Sequence, residues 1–138
     1  MRGLAIATGP AHAPRVLVQG LAFDLMPGQT LGLVGESGSG KTLSILALMG
    51  LLPPGTRVTA GLLRLAAAAG GTPQLLALDD PAALAALRGA QLGMIFQEPM
   101  AALDPCFSIG HHLVEVIRRH APGTPRAQAW RQAVALLQ

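Results

Sequence analysis

Tyrosine and asparagine are absent from this chain of 138 residues, and lysine, tryptophan and cysteine occur once each. Each shortage excludes something. Without asparagine the guanine-reading Asn-Lys-x-Asp motif cannot exist, which removes a GTPase. Aromatic residues make up only 3%, and the basic residues are scattered instead of clustered. A formal charge of +3 therefore comes without the stacking surface or basic stripe of a nucleic-acid binder, and no nucleic-acid partner is expected. Cys106 has no second cysteine to pair with, so a reducing cytoplasm is the expected setting. A lone cysteine reads as a small, half-buried apolar residue before it reads as a reactive thiol. No stretch reaches the roughly 18 to 20 uninterrupted apolar residues of a membrane span. Gly9, Pro10 and Pro14 interrupt the N-terminus before a signal-peptide core can form, so any membrane role is expected through a partner.

What is present is 51% hydrophobic, mostly Leu, Ala, Val and Ile, enough for one ordinary domain with a core. The single lysine, Lys41, stands in Gly35-Glu36-Ser37-Gly38-Ser39-Gly40-Lys41-Thr42, which fills every fixed position of the G-x-x-x-x-G-K-[ST] phosphate-binding loop. Residues 31–34, with Leu31, Leu33 and Val34, read as a buried strand ending at Gly35, and residues 42–50 as the helix that follows. Glycines at 35, 38 and 40 let successive N–H groups converge on an anion, and the helix N-terminus adds its dipole. In such a loop Lys41 reaches the β- and γ-phosphates and the Thr42 hydroxyl ligates Mg²⁺. The plain alternative is a Gly/Ser turn before an amphipathic helix, and it leaves the completeness of the motif unexplained.

Along the rest of the chain, residues 4–7 and 21–25 read as strands, with a turn at Pro27-Gly28. Residues 58–65 and 74–78 read as short strands around the low-complexity stretch 66–71, expected as a surface turn. Asp80 followed by Pro81 predicts a helix over 81–88. Residues 91–96 read as a further buried strand, broken at Gln97-Glu98-Pro99. Ser108 predicts a helix with Ile109, Leu113, Val116 and Ile117 on one face, and Thr124-Pro125 a last helix still running at Gln138.

The run Met94-Ile95-Phe96-Gln97-Glu98-Pro99-Met100, continuing to Leu103-Asp104-Pro105, resembles the glutamine-loop region of ABC transporter ATPases of the dipeptide, oligopeptide and nickel importer group. Leu33 through Thr42 and Gly50-Leu51-Leu52-Pro53 look like the same group, and the resemblance continues from about Leu21 to the C-terminus. The resemblance implies an α/β fold: a P-loop core with a small antiparallel strand subdomain, and the start of a helical subdomain. It divides the chain into residues 1–100, the N-terminal part of the nucleotide-binding core, and 101–138, the start of the helical subdomain. It implies ATP and Mg²⁺ as ligands, Lys41 and Gln97 as catalytic residues, and Gln97 beside Thr42 as metal ligands or water-orienting groups. It also implies a permease contacted through the glutamine loop, a second ATPase subunit, and, indirectly, an extracytoplasmic solute-binding protein. The expected location is the cytoplasmic face of a bacterial inner membrane, and the expected work is import of peptides or a related small solute.

The departures from the family pattern are specific. The LSGGQ signature, a Walker B strand ending in Asp-Glu, and the switch histidine do not follow Gln97, after which the only acids are Glu98, Asp104 and Glu115. The chain thus reads as an incomplete N-terminal portion, short of the catalytic base and with the edge of the strand at 31–34 left open. The family stacks adenine on an early aromatic residue, yet residues 9–18 hold none; His12 is the nearest substitute and reads as a solvated loop histidine. Residues 75–80, Leu-Leu-Ala-Leu-Asp-Asp, mimic a Walker B strand and would make Asp79 a metal partner and Asp80 a base in a compact P-loop kinase. They precede the glutamine loop, and Asp80-Pro81 already serves as a helix start. His111 and Glu115, one helical turn apart near His112 and His120, fall short of a metal site and read as a polar face.

Overall fold

The fold was taken from a computed structural model, which describes residues 1–66 and 72–138. The surface turn expected at 66–71 falls almost wholly outside them. Two compact units divide the chain, Met1–Arg88 and Gly89–Gln138. Segment 89–100 thus belongs with the second unit, whereas the sequence reading groups it with the phosphate loop.

In the first unit the apolar residues of the N-terminal stretch make strand β1 (Arg2–Thr8), which turns through Pro10 and Ala13 into β2 (Arg15–Leu21). Strands β3 (Thr56–Leu65) and β4 (Gln74–Ala77) complete an antiparallel sheet in the order β2-β1-β3-β4. β1 lies inside the sheet, and its Leu4 and Ile6 are fully buried. Leu63 of β3, Leu76 of β4 and Leu78 are buried as well, and two helices add to this core. Helix α1 (Lys41–Leu48) packs on β1 and buries Ala47, and α2 (Pro81–Leu87) buries Leu84 and Leu87. Gly61 is where β3 must be bare. A Cβ there would stand 2.9 Å from Leu78 Cδ1 and 3.1 Å from Leu4 Cα, and the Gly61 carbonyl accepts from the Leu78 N–H at 3.1 Å.

Three expected strands are not strands. Residues 31–34 are irregular, with Leu31 exposed and Val34 90% exposed. An apolar run becomes a strand only when another strand takes its N–H and C=O groups, and none pairs with this one among the described residues. Residues 91–96 form no strand either: only Leu92 is bridged, its carbonyl accepting from the Gly89 N–H at 2.8 Å, and Ile95 is 92% exposed. The strand expected at 21–25 lies earlier, as β2, and only Leu21 belongs to both. Beyond it the chain still runs beside the N-terminus: the Met1 amine donates to Phe23 O at 2.8 Å, and Phe23 N–H to Met1 O at 3.1 Å.

In the second unit a short 3-10 helix (Pro99–Ala102) precedes α3 (Ile109–His120) and α4 (Arg126–Ala135). Ser108 caps α3 as expected, its hydroxyl accepting from the His111 N–H at 3.2 Å. The seam between the helices holds Val114, Ala129 and Ala133, with Leu113 and Ile117 packed against them. Ile109 and Val116 of the expected face are instead exposed. Since α4 contributes alanines to the seam, only a narrow stripe of α3 is covered. α4 ends at Ala135, short of Gln138.

Candidate phosphate-binding site

Residues 35–40 form a bend, stabilised by the Ser39 N–H donating to Glu36 O at 3.2 Å, that leads directly into α1. Gly38 at φ 80° and Gly40 at φ 91° take the left-handed region that side-chain-bearing residues avoid. Gly40 is the N-cap of α1 and offers no side chain to it. The first N–H groups of a helix have no intrahelical partner, so those of the Lys41 turn are left for something outside the helix. Ser44, buried at 3% exposure, anchors that turn from below, both its N–H and its hydroxyl donating to Gly40 O at 2.9 Å.

The Lys41 ammonium folds back over the bend. Its Nζ donates to Gly35 O at 2.7 Å, to Glu36 O at 2.6 Å and more weakly to Ser39 Oγ at 3.4 Å. One compact cation thus closes the loop, on the same side as Gly35, Ser39 and Ser44. These residues line a cavity of about 360 Å³, together with Leu33, Val34 and, from β2, Leu17, Val18, Gln19 and Leu21. Thr42 is exposed on the first turn of α1. Uncapped amides, a helix dipole and one ammonium around an open cavity suit the oxygens of a polyphosphate. The same donor set suits a nucleotide with its magnesium ion: the amides and Lys41 meet phosphate oxygens, and Thr42 offers a hydroxyl at the right turn.

The β2 lining is what the sequence reading missed. The stretch ending at Val18 holds no aromatic residue but carries an aliphatic wall, on a strand that begins at Arg15, six residues before the expected one. The apolar run Val16-Leu17-Val18 was the available signal, although the register shift beside Val18, which brings Leu17, Val18 and Gln19 all to the cavity, is not written in it.

Gln97 is exposed in a bend of the second unit, just ahead of Pro99. Asp80 is already engaged, its Oδ1 accepting from the N–H groups of Ala82 and Ala83 at 3.0 Å each to cap α2. Asp79 lines a separate cavity of about 250 Å³ with Arg57, Leu78 and Leu84. His12 is exposed at the turn between β1 and β2. His111 stacks on Phe107, ring centroids 4.5 Å apart, and a His112 ring nitrogen is 3.1 Å from Asp104 O. Cys106, expected half-buried, is exposed, because its N–H is drawn to Asp104 Oδ1 at 2.9 Å in a surface turn. No helix among the described residues is long and apolar enough to cross a membrane.

Compared with known proteins, the chain matches the ABC transporter family over residues 18–137. It is 40% identical over 134 residues to the oligopeptide transport ATP-binding protein OppD of Mycobacterium tuberculosis, covering 97% of this chain and 21% of that protein. To the dipeptide transport ATP-binding protein DppD of Haemophilus influenzae it is 36% identical over 128 residues, 93% of this chain and 37% of that one. To the DppD of Bacillus subtilis it is 40% identical over 111 residues, 80% of this chain and 31% of that one. The chain therefore spans well under half the length of these relatives.

Proposed function

The chain belongs to the ABC transporter family, and from that premise we propose that it binds ATP with Mg²⁺ at the loop 35–42, as part of an ATPase that powers import of peptides or a related small solute. The amides of Gly35, Glu36, Ser37, Gly38, Ser39 and Gly40, with Lys41, hold the phosphates. Thr42 and Gln97 would hold the magnesium ion, whose chemistry is to neutralise charge on the phosphates, or Gln97 would orient the attacking water, as a neutral amide can without taking up a proton. Residues 1–100 supply the nucleotide-binding part and 101–138 the start of the helical subdomain. The partners in this reading are a permease, met through the glutamine-loop region, a second ATPase subunit, and indirectly a solute-binding protein. Its place is the cytoplasmic face of a bacterial inner membrane.

The observation that supports this most is the uncapped N-terminus of α1 beside the Lys41 ammonium. The kinase reading would need Asp80 as its base, a residue whose Oδ1 already accepts from the α2 amides and whose role as a helix cap accounts for it. Titration calorimetry with Mg·ATP tests the proposal. Wild type is expected to bind, Lys41→Ala to lose binding, and Lys41→Arg not to restore it, because the guanidinium is larger and planar. Equal affinity in wild type and Lys41→Ala would overturn it.

A further inference from the structure

We propose that Val18 is a positioning residue for the phosphate loop, its side chain acting as a stop that fixes Gly40 and so aims the Lys41–Thr42 turn; the inference deepens the phosphate-site reading and rests on it. A Cβ built on Gly40 would stand 2.6 Å from Val18 Cγ2 and 3.4 Å from Leu17 O. Gly40 is therefore in contact with β2 through its bare Cα face, at a φ of 91° that itself favours glycine. Gly40 caps the helix without a side-chain bond, so its position depends on packing of this kind. From inside, the Gly40 carbonyl is held by the N–H and hydroxyl of Ser44. The loop's pivot is thus clamped between Ser44 and Val18.

The stop is tied to the core. β2 is an edge strand, but Val18 pairs with Ile6, which is fully buried in β1, between two shifts of register in the β1–β2 ladder. Valine's two γ-methyls restrict its χ1 on a strand, so a contact made by Cγ2 yields less readily than one from an unbranched side chain. A line of contacts runs from the core at Ile6, across the β1–β2 ladder, through Val18 to Gly40 and the first amides of α1. Those amides and Lys41 are what a phosphate would meet. Val16, on the same strand, is 56% exposed and does not line the cavity, so it is the natural control.

The test compares wild type, Val18→Ala, Val18→Thr and Val16→Ala of the full chain in two measurements. In hydrogen exchange on the nucleotide-free protein, Val18→Ala is expected to speed exchange of the amides at 40–43. Val18→Thr keeps the branch and should match wild type, as should Val16→Ala. In calorimetry, Val18→Ala is expected to weaken ATP and inorganic tripolyphosphate by the same factor, about five- to tenfold, the order expected from removing two supporting methyl groups. Loss of ATP affinity with tripolyphosphate affinity unchanged would make Val18 a wall for the base and overturn the proposal. So would unchanged exchange at 40–43 in Val18→Ala, or equal effects of the Ala and Thr variants. If wild type binds no tripolyphosphate, the phosphate-site reading fails, and the exchange comparison on the free chain decides the role of Val18 by itself.

Discussion

The indole of Trp130 on α4 lies over Gly110 of α3, so closely that a Cβ on Gly110 would stand 2.5 Å from Cη2 and 2.8 Å from Cζ3 of the ring. The atoms in the way are the far end of a side chain that is 48% exposed, so the ring can swing outward where a backbone could not. Gly110→Ala is therefore expected to move the indole more than it moves the stability. Alanine favours the helix by up to about 1 kcal/mol over glycine, while displacing the ring removes contacts of similar worth. Because Trp130 is the chain's one tryptophan, its fluorescence reads the change directly. A red-shifted emission and easier quenching, with a melting temperature within a few degrees of wild type, is the expected result. Unchanged emission would mean that the ring does not sit on Gly110.

Asp80 offers a sharper stability test. Its Oδ1 caps α2 through two N–H groups, and loss of such a cap costs about 1 kcal/mol. Asp80→Ala should lower the melting temperature by several degrees, and Asp80→Ser or Asp80→Asn should recover most of it. None of the three should change nucleotide affinity. If Asp80→Asn instead left stability intact and removed ATP turnover, the carboxylate would be chemical after all.

How much of this was legible in the sequence depended on whether a signal was local. Asp80-Pro81, Ser108 and Thr124-Pro125 announce helix starts by caps and fixed φ, and α2, α3 and α4 begin where they point. The phosphate loop is equally local, because Gly38, Gly40 and Lys41 act within one turn of chain. Strands need partners that local sequence cannot supply. Leu31 to Val34 and Gln91 to Phe96 are apolar enough for a sheet yet find no neighbouring strand among the described residues. β1 and β3 succeed because each pairs on both sides. The contact of Val18 with Gly40 links residues 22 positions apart in sequence, and no periodicity reports it.

The Arg2–Asp24 pair predicts a small acid dependence. Arg2 Nη2 donates to Asp24 Oδ2 at 2.6 Å. That hydrogen bond, more than charge attraction, holds the Asp24 carboxyl below its ordinary range and raises Arg2. A carboxylate depressed by folding adds stability above its unfolded pKa, about 3.9, and that contribution is lost as pH falls through the folded value. Asp24→Asn should thus be less stable than wild type near neutral pH, with the difference closing in acid. The effect is small, since both side chains are more than half exposed. Denaturant melts across the acid range check it, and a difference that widens on acidification contradicts the sign.

Turnover by this chain alone is expected to be slow even where ATP binds. Among the described residues no carboxylate lines the cavity beside the phosphate loop, whose walls are Leu17, Leu21, Val34, Lys41 and their neighbours. Of the acids nearest to having a catalytic look, Asp80 caps α2 and Asp104 accepts from the Cys106 N–H. Phosphoryl transfer to water depends on positioning the nucleophile and on charge stabilisation around the transferring group. Lys41 and the α1 amides supply the second in part; among the described residues lining the cavity none is a base that takes a proton from water. The expected rate is well below the 1 per second at the low end of ordinary enzymes. Phosphate release from purified chain, with Lys41→Ala as the blank, measures it. A rate above that level that survives Gln97→Ala and disappears in Asp79→Asn would move the chemistry to the β4–α2 turn and away from the glutamine-loop assignment.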